Sequence, residues 1–160
     1  MNFKKIDALT FVSETKITFD LILIKQTIHF FKINQINKLL LICKSKLNTN
    51  GQILILSLDA KKNKIPTFSI MSEKLKNSLK RDKKIFDLIK NKYPNVITKK
   101  FIFNVKLFKT NYFKMIKNRY ISILVNLSDK QIENGIYEIN CRYNKKIIFK
   151  DKLICFILKK

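Results

Sequence analysis

The period of the apolar residues changes several times along the chain, and each change marks an element. Ile17 to Ile24 is an almost continuous apolar run broken by Asp20, the pattern of a parallel strand covered on both faces, and it predicts a central strand. After a polar loop around His29, Ile36, Leu39, Leu40, Cys43 and Leu47 recur at helical spacing. They predict a helix capped by Asn34 that stops at Asn48. Asn48-Thr49-Asn50-Gly51 is turn chemistry tolerant of positive φ, and it predicts a turn before a strand over Gln52 to Leu58. Ser72 and Glu73 open a second predicted helix with Leu75, Leu79, Phe86, Ile89 and Tyr93 facing inward until Pro94 ends it. Lys99 to Lys109 alternates, with Phe101, Phe103, Val105 and Leu107 on one side. Ser128 and Gln131 have capping-box spacing before a third helix through Ile132, Ile136 and Ile139, and a closing strand falls within Lys146 to Leu158.

Strands alternating with amphipathic helices imply an α/β domain. The strands at Phe19, Gln52 and Phe101 are expected side by side, with the closing segment pairing antiparallel. No repeat and no low-complexity linker divides the chain, so residues 1–160 are expected to form a single domain. The lysine-rich segment Ala60 to Pro66 lacks periodicity and is expected to be a surface loop.

Composition changes this picture less than its charge suggests. With 46% apolar residues among 160, the chain can bury a sizeable core. The 34 Lys and Arg against 11 Asp and Glu give a formal charge of +23, which by itself points to an anionic partner. Only Arg81, Arg119 and Arg142 are arginine, however, and arginine is the residue suited to bidentate phosphate and base recognition. Abundant Lys, Asn, Ile and Phe beside scarce Gly, Pro and Trp is the signature of AT-rich codons. The lysines therefore read as solvated surface, and specific nucleic-acid binding is not expected. Cys43, Cys141 and Cys155 are odd in number and widely spaced, which builds neither a disulfide framework nor a metal pair, so no metal is expected and a reducing cytoplasm is. Asp20, Lys25 and His29 interrupt the most hydrophobic stretch before it reaches the length of about 18 apolar residues that a membrane span needs. Neither a membrane span nor a signal peptide is expected.

The segment Phe19-Asp20-Leu21-Ile22-Leu23-Ile24, the following Gln26-Thr27-Ile28-His29, the Gly51 turn and Arg119-Tyr120-Ile121-Ser122-Ile123-Leu124 together resemble the middle and end of class I S-adenosylmethionine-dependent methyltransferases of the small-molecule, type 11 kind. The resemblance implies a partial doubly wound, Rossmann-like sheet ending in an antiparallel strand pair. Met1 to Phe11 resembles the family's third strand, with Asp7 and Ala8 as the pair beside the cofactor's adenine. The family's glycine-rich loop after its first strand has no counterpart, since Gly51 and Gly135 are the only glycines. An N-terminally truncated methyltransferase-like domain is thus implied, inactive alone, binding S-adenosylmethionine weakly or not at all unless a second chain completes it.

Methyl transfer is an in-line displacement in which positioning and exclusion of water supply much of the rate, so few residues need special chemistry. His29, the only histidine, falls just past the strand where cofactor and a small-molecule acceptor meet. It can take a proton from the acceptor, though shaping the pocket wall is the preferred role. Lys25 and Gln26 can donate to the cofactor's methionine moiety. Arg119 either pairs with an acidic substrate group or caps surface structure, and Asp7 either flanks adenine or ends a strand. Two further readings stand beside the methyltransferase: a basic, non-specific nucleic-acid-binding or ribosome-associated protein, and a non-catalytic methyltransferase remnant.

Overall fold

A computed structural model describes residues 5–59 and 64–160. In chain order the elements are α1 (Ala8–Glu14), β1 (Phe19–Lys25), a 3-10 turn (Ile28–Phe30), α2 (Ile33–Ser45), β2 (Leu47–Leu58), α3 (Ser69–Lys92), β3 (Ile97–Phe108), α4 (Lys109–Lys117), a second 3-10 turn (Ser122–Leu124), α5 (Asp129–Arg142) and β4 (Lys146–Lys159). The strands form one four-stranded mixed sheet in the order β1-β2-β4-β3, and the fold class is α/β with antiparallel C-terminal strands.

Hydrogen bonds set the strand directions. β1 and β2 are parallel, Ile22 facing Ile53 and Lys25 facing Leu56. On β4 the partners run the other way: Lys160 donates to the Gly51 carbonyl at 3.2 Å and Asp59 to that of Lys152 at 2.8 Å. At the outer pair, Lys109 donates to the Lys145 carbonyl at 3.2 Å, and Lys146 Nζ lies 5.7 Å from the Phe108 ring centroid. β3 and β4 are therefore antiparallel as well.

Two expectations about strand position are corrected. The strand at Phe101 does not lie beside that at Gln52, because β4 is inserted between them. Leu153, Ile154, Cys155, Phe156 and Leu158 are all buried, so β4 has the two-sided apolar run of an interior strand, whereas lysine-bearing β3 tolerates the edge. Phe101 and Phe103 accordingly stand exposed. β1, expected in the centre, is the other edge strand, with Leu21 51% and Leu23 55% exposed.

The chain divides into two compact units. The first is drawn from Met1–Ser57, Ile85–Lys100 and Ile154–Lys160. Here α2 buries Ile36, Leu39, Leu40 and Cys43, as its spacing predicts, but Leu47 already belongs to β2. Each such side chain contributes roughly 1.5–3 kcal/mol on burial. The cap is Lys32 rather than Asn34, because the Gln35 side chain reaches back to accept the Lys32 N–H at 3.0 Å. Asn48 to Gly51 lie inside β2 and not before it, at the register shift between Phe19 and Leu21. Gly51 lacks a positive φ; close approach demands it, since a Cβ there would sit 2.8 Å from the Phe19 carbonyl oxygen. The expected strand over Met1 to Phe11 is also corrected. Met1 to Lys4 lie outside the described residues, and Ala8 to Phe11 are helical.

The second unit comprises Leu58–Lys84 and Phe101–Leu153. Its core joins Phe68, Met71, Tyr112, Ile116, Leu124, Leu127, Ile132, Ile139 and Ile147. The Ser128 and Gln131 capping box forms as the spacing predicts: Gln131 N–H donates to Ser128 Oγ at 3.2 Å and Ser128 N–H to Gln131 Oε1 at 2.9 Å. Gly135 is obligatory within α5, because a Cβ would meet the Phe68 ring at 2.5 Å. α3 begins at Ser69, three residues before the expected start, where Glu138 accepts from Ser69 N at 2.9 Å and Oγ at 2.7 Å. Those bonds hold the Glu138 carboxyl below its ordinary range. The expected loop from Ala60 lies, up to Asn63, outside the described residues.

Candidate functional site

In an open α/β sheet, ligands collect beyond the carboxyl ends of parallel strands. In the first unit that place is the end of β1. Lys25 is the last strand residue and is exposed. Gln26 N–H still donates to the Leu56 carbonyl at 2.7 Å, but its φ of 52° puts the backbone in the left-handed region, a conformation a residue with a Cβ adopts only at a cost. The chain then closes a 3-10 turn, Phe30 N–H donating to the Thr27 carbonyl at 3.0 Å. Ile28, 1% exposed, pins that turn to the core. His29 is half-buried with its ring 4.4 Å from that of Phe30, which is 64% exposed. Lys25, Gln26 and His29 thus share one corner: a cation, an amide, and an imidazole against an aromatic wall.

Asp7 and Ala8 begin α1, in the same unit. Asp7 is the helix cap and accepts from Thr10 N–H at 2.9 Å, which with the neighbouring N–H groups lowers its carboxyl pKa. It starts a helix instead of ending a strand.

Arg119 belongs to the second unit. It follows α4 with φ 50°, and the bonds around it close the helix: Arg119 N–H to the Ile116 carbonyl at 2.9 Å and Tyr120 N–H to that of Met115 at 3.1 Å. This is the paired-bond stop usually given to glycine. Its guanidinium then reaches the Leu127 carbonyl at 3.2 Å and Asp129 at 2.6 Å, so one nitrogen of the side chain is committed to the loop before α5.

Sequence reasoning missed a buried polar pair in this unit. Tyr112, 0% exposed, donates to the Pro66 carbonyl at 2.5 Å, and its oxygen lies 3.1 Å from the Tyr120 hydroxyl. Burial, aided by the neighbouring phenols, pushes the Tyr112 hydroxyl far above its ordinary pKa; burial also raises that of Tyr120. Both stay protonated donors. The contact with Pro66 spans 46 residues, a separation no local pattern announces. Among the described residues no group of three or more His, Cys, Asp or Glu is placed to hold a metal, and no helix is long and apolar enough to cross a membrane.

No protein-family model and no curated protein sequence matches the chain. Solved structures do. A SAM dependent methyltransferase from Archaeoglobus fulgidus is similar with a TM-score of 0.46 and 19% identity, over 98% of this chain and 66% of that one. The plantazolicin methyltransferase BamL, in complex with a triazolic desmethylPZN analog and SAH, is similar with a TM-score of 0.40 and 13% identity, over 96% of this chain and 57% of that one. The plantazolicin methyltransferase BpumL, with a monoazolic analog and SAH, is similar with a TM-score of 0.35 and 13% identity, over 91% of this chain and 53% of that one. The chain therefore spans less than two thirds of each of these structures, and the likeness is a distant one of fold.

Proposed function

We propose that this chain is the C-terminal part of a class I methyltransferase that transfers a methyl group from S-adenosylmethionine to a small molecule once another polypeptide segment completes it. The observation that carries the reading is the corner at the end of β1, where the strained Gln26 leads directly into His29 at the strand end that such a sheet reserves for ligands. The motif Phe19-Asp20 before it and Arg119 to Leu124 after it support the same reading.

These residues fit one side of the cofactor. Lys25 and Gln26 offer donors for a carboxylate, His29 and Phe30 supply a wall, and the Asp7 carboxylate at the start of α1 is suited to a ribose or adenine donor. Nothing among residues 1–160 supplies the glycine-rich close approach of backbone to ligand. The cofactor, when bound, supplies an electron-poor methyl group. The chain's own part is to orient the acceptor against the His29 ring, exclude water, and let His29 take the acceptor's proton when there is one to lose. The exposed Leu21 and Leu23 on edge strand β1 are where a completing strand gains apolar contact.

Calorimetric titration of S-adenosylhomocysteine tests this. The chain alone is expected to show weak or no binding; mixed with a polypeptide encoded immediately upstream that bears a glycine-rich strand, loop and helix, it is expected to show saturable binding weakened by Gln26→Ala. Micromolar binding to the chain alone contradicts the need for completion. Absence of binding in the mixture leaves a remnant without cofactor.

A further inference from the structure

In the first unit the two faces of the sheet differ. Phe86 of α3 packs on Phe156 with ring centroids 5.1 Å apart, Lys44 of α2 lies over the ring of Tyr93 just past α3, and α1 packs against α2. The helices of this unit therefore gather on the face that carries Phe156. Side chains alternate along a strand, so the register tells which residues share that face. The bond from Lys160 to Gly51 sets Phe156 opposite Ile55, and Ile55 faces Ile24 on β1. All three are buried.

The positions between them point the other way. Leu23 faces Leu54 across the β1/β2 ladder, and the same register brings Ile157 of β4 beside Leu54. Burial raises the pKa of the Cys155 thiol and the nearby Lys99 of β3 opposes the rise. Lys99 thus stands on the face of Cys155 and Ile157, and Ile97, two residues before it, does too. Leu23, Leu54, Ile157 and Ile97 form one apolar row across the four strands, flanked by Leu21 and Leu56. Leu21 is 51%, Leu23 55% and Ile97 42% exposed, and Leu54, Leu56 and Ile157 are half-buried. A parallel pair such as β1 and β2 is ordinarily covered on both faces, and a contiguous exposed apolar patch marks an interaction site. Its rim is basic: Lys25, Lys99 and Lys159 are exposed, and no strand position that points this way is acidic.

We propose that this face takes an amphipathic helix of a second polypeptide, its apolar stripe on the row of Leu23, Leu54, Ile157 and Ile97 and its Asp and Glu flanks against Lys25, Lys99 and Lys159. A second copy of this chain is disfavoured, because it brings the same lysines and a further formal charge of +23 to the contact. The surface is a sheet face, distinct from the edge of β1 and from the corner at His29. The identity of the partner as the completing segment rests on the reading above, whereas the surface itself does not depend on methyl transfer.

The probe is a synthetic peptide of about 18 residues, with leucines at i, i+3, i+4 and i+7 spacing and glutamates on both flanks. It is titrated calorimetrically into the full chain at about 0.15 M ionic strength, where diffuse surface attraction is screened. One saturable site is expected. Leu23→Asp should weaken it at least about tenfold, whereas Ile148→Asp, at a similarly exposed apolar position of the second unit, should leave it unchanged. The Lys99→Glu/Lys159→Glu double variant keeps the apolar row; it should weaken the glutamate peptide and strengthen the same peptide with lysine in place of glutamate. The proposal fails if no saturable binding appears, if Leu23→Asp and Ile148→Asp act alike, or if charge reversal leaves the preference between the two peptides unchanged. Sedimentation velocity of the chain alone should give a monomer; a dimer that Leu23→Asp dissociates means that a second copy covers the face, and overturns the assignment. The peptide holds no glycine-rich loop, so its binding is independent of the S-adenosylhomocysteine titration: failure of that titration beside intact peptide binding overturns methyl transfer and leaves this surface standing.

Discussion

Gln26 and Arg119 adopt nearly the same left-handed backbone, φ 52° and 50°, yet the two corners are built in opposite ways. Arg119 is held from both sides. Its own N–H and that of Tyr120 satisfy the last carbonyls of α4, and its guanidinium ties down the loop to α5. Among the described residues, Gln26 is held by its backbone bond to Leu56 and by the burial of Ile28 two residues on. Where strain is repaid within the corner itself, as at Arg119, the fold accounts for it. At Gln26 the left-handed backbone leads toward a half-buried His29 and an exposed Phe30, the corner proposed above as one side of a ligand site.

The contrast breaks most visibly at the anchor. Ile28→Ala should destabilise the chain by about 2–5 kcal/mol, since it leaves a cavity where the buried Ile28 side chain anchors the Gln26 corner. Urea denaturation followed by far-ultraviolet circular dichroism measures it. A loss within experimental error of zero would show that the corner is held by something other than burial.

At the second corner, Arg119→Ala should cost about 1–2 kcal/mol, from the lost bonds to Leu127 and Asp129. Asp129 is 88% exposed on its side chain, so the ion pair contributes only the smaller part. Arg119→Gly loses the same bonds but relieves the left-handed backbone, and should be more stable than Arg119→Ala by about 1 kcal/mol. Equal stabilities of the two variants would mean that the positive φ carries no strain here.

The smallest effect sharpens the comparison furthest. Gln26→Gly relieves the same strain, and should stabilise the chain by up to about 1 kcal/mol. The Gln26 side chain is exposed, so a glycine gives up little there. If Gln26→Gly instead destabilises by as much as Arg119→Ala, the side chain serves the fold, and the case for β1's end as a ligand site weakens. Thermal unfolding of both variants under one condition decides it.

What could be read from the sequence was whatever depends on residues within one or two helical turns. The α2 stripe of Ile36, Leu39, Leu40 and Cys43 and the Ser128 and Gln131 box are local, and both formed as their spacing predicts. So is the passage from an apolar strand to a polar loop that singled out Lys25, Gln26 and His29. The left-handed φ at Gln26 was not legible, because glutamine carries no preference for it. Gly51 looked like a turn residue; only the approach of the Phe19 carbonyl reveals a packing requirement. The Tyr112 bond to Pro66 likewise joins segments distant along the chain. The sheet order shows the same division most plainly. The apolar runs at Leu21 to Ile24 and at Leu153 to Leu158 look alike as sequence, yet one forms an edge strand and the other an interior strand. A strand's own residues set its preference for burial, whereas its neighbours are set by hydrogen bonds to segments far away, which only the folded sheet brings within reach.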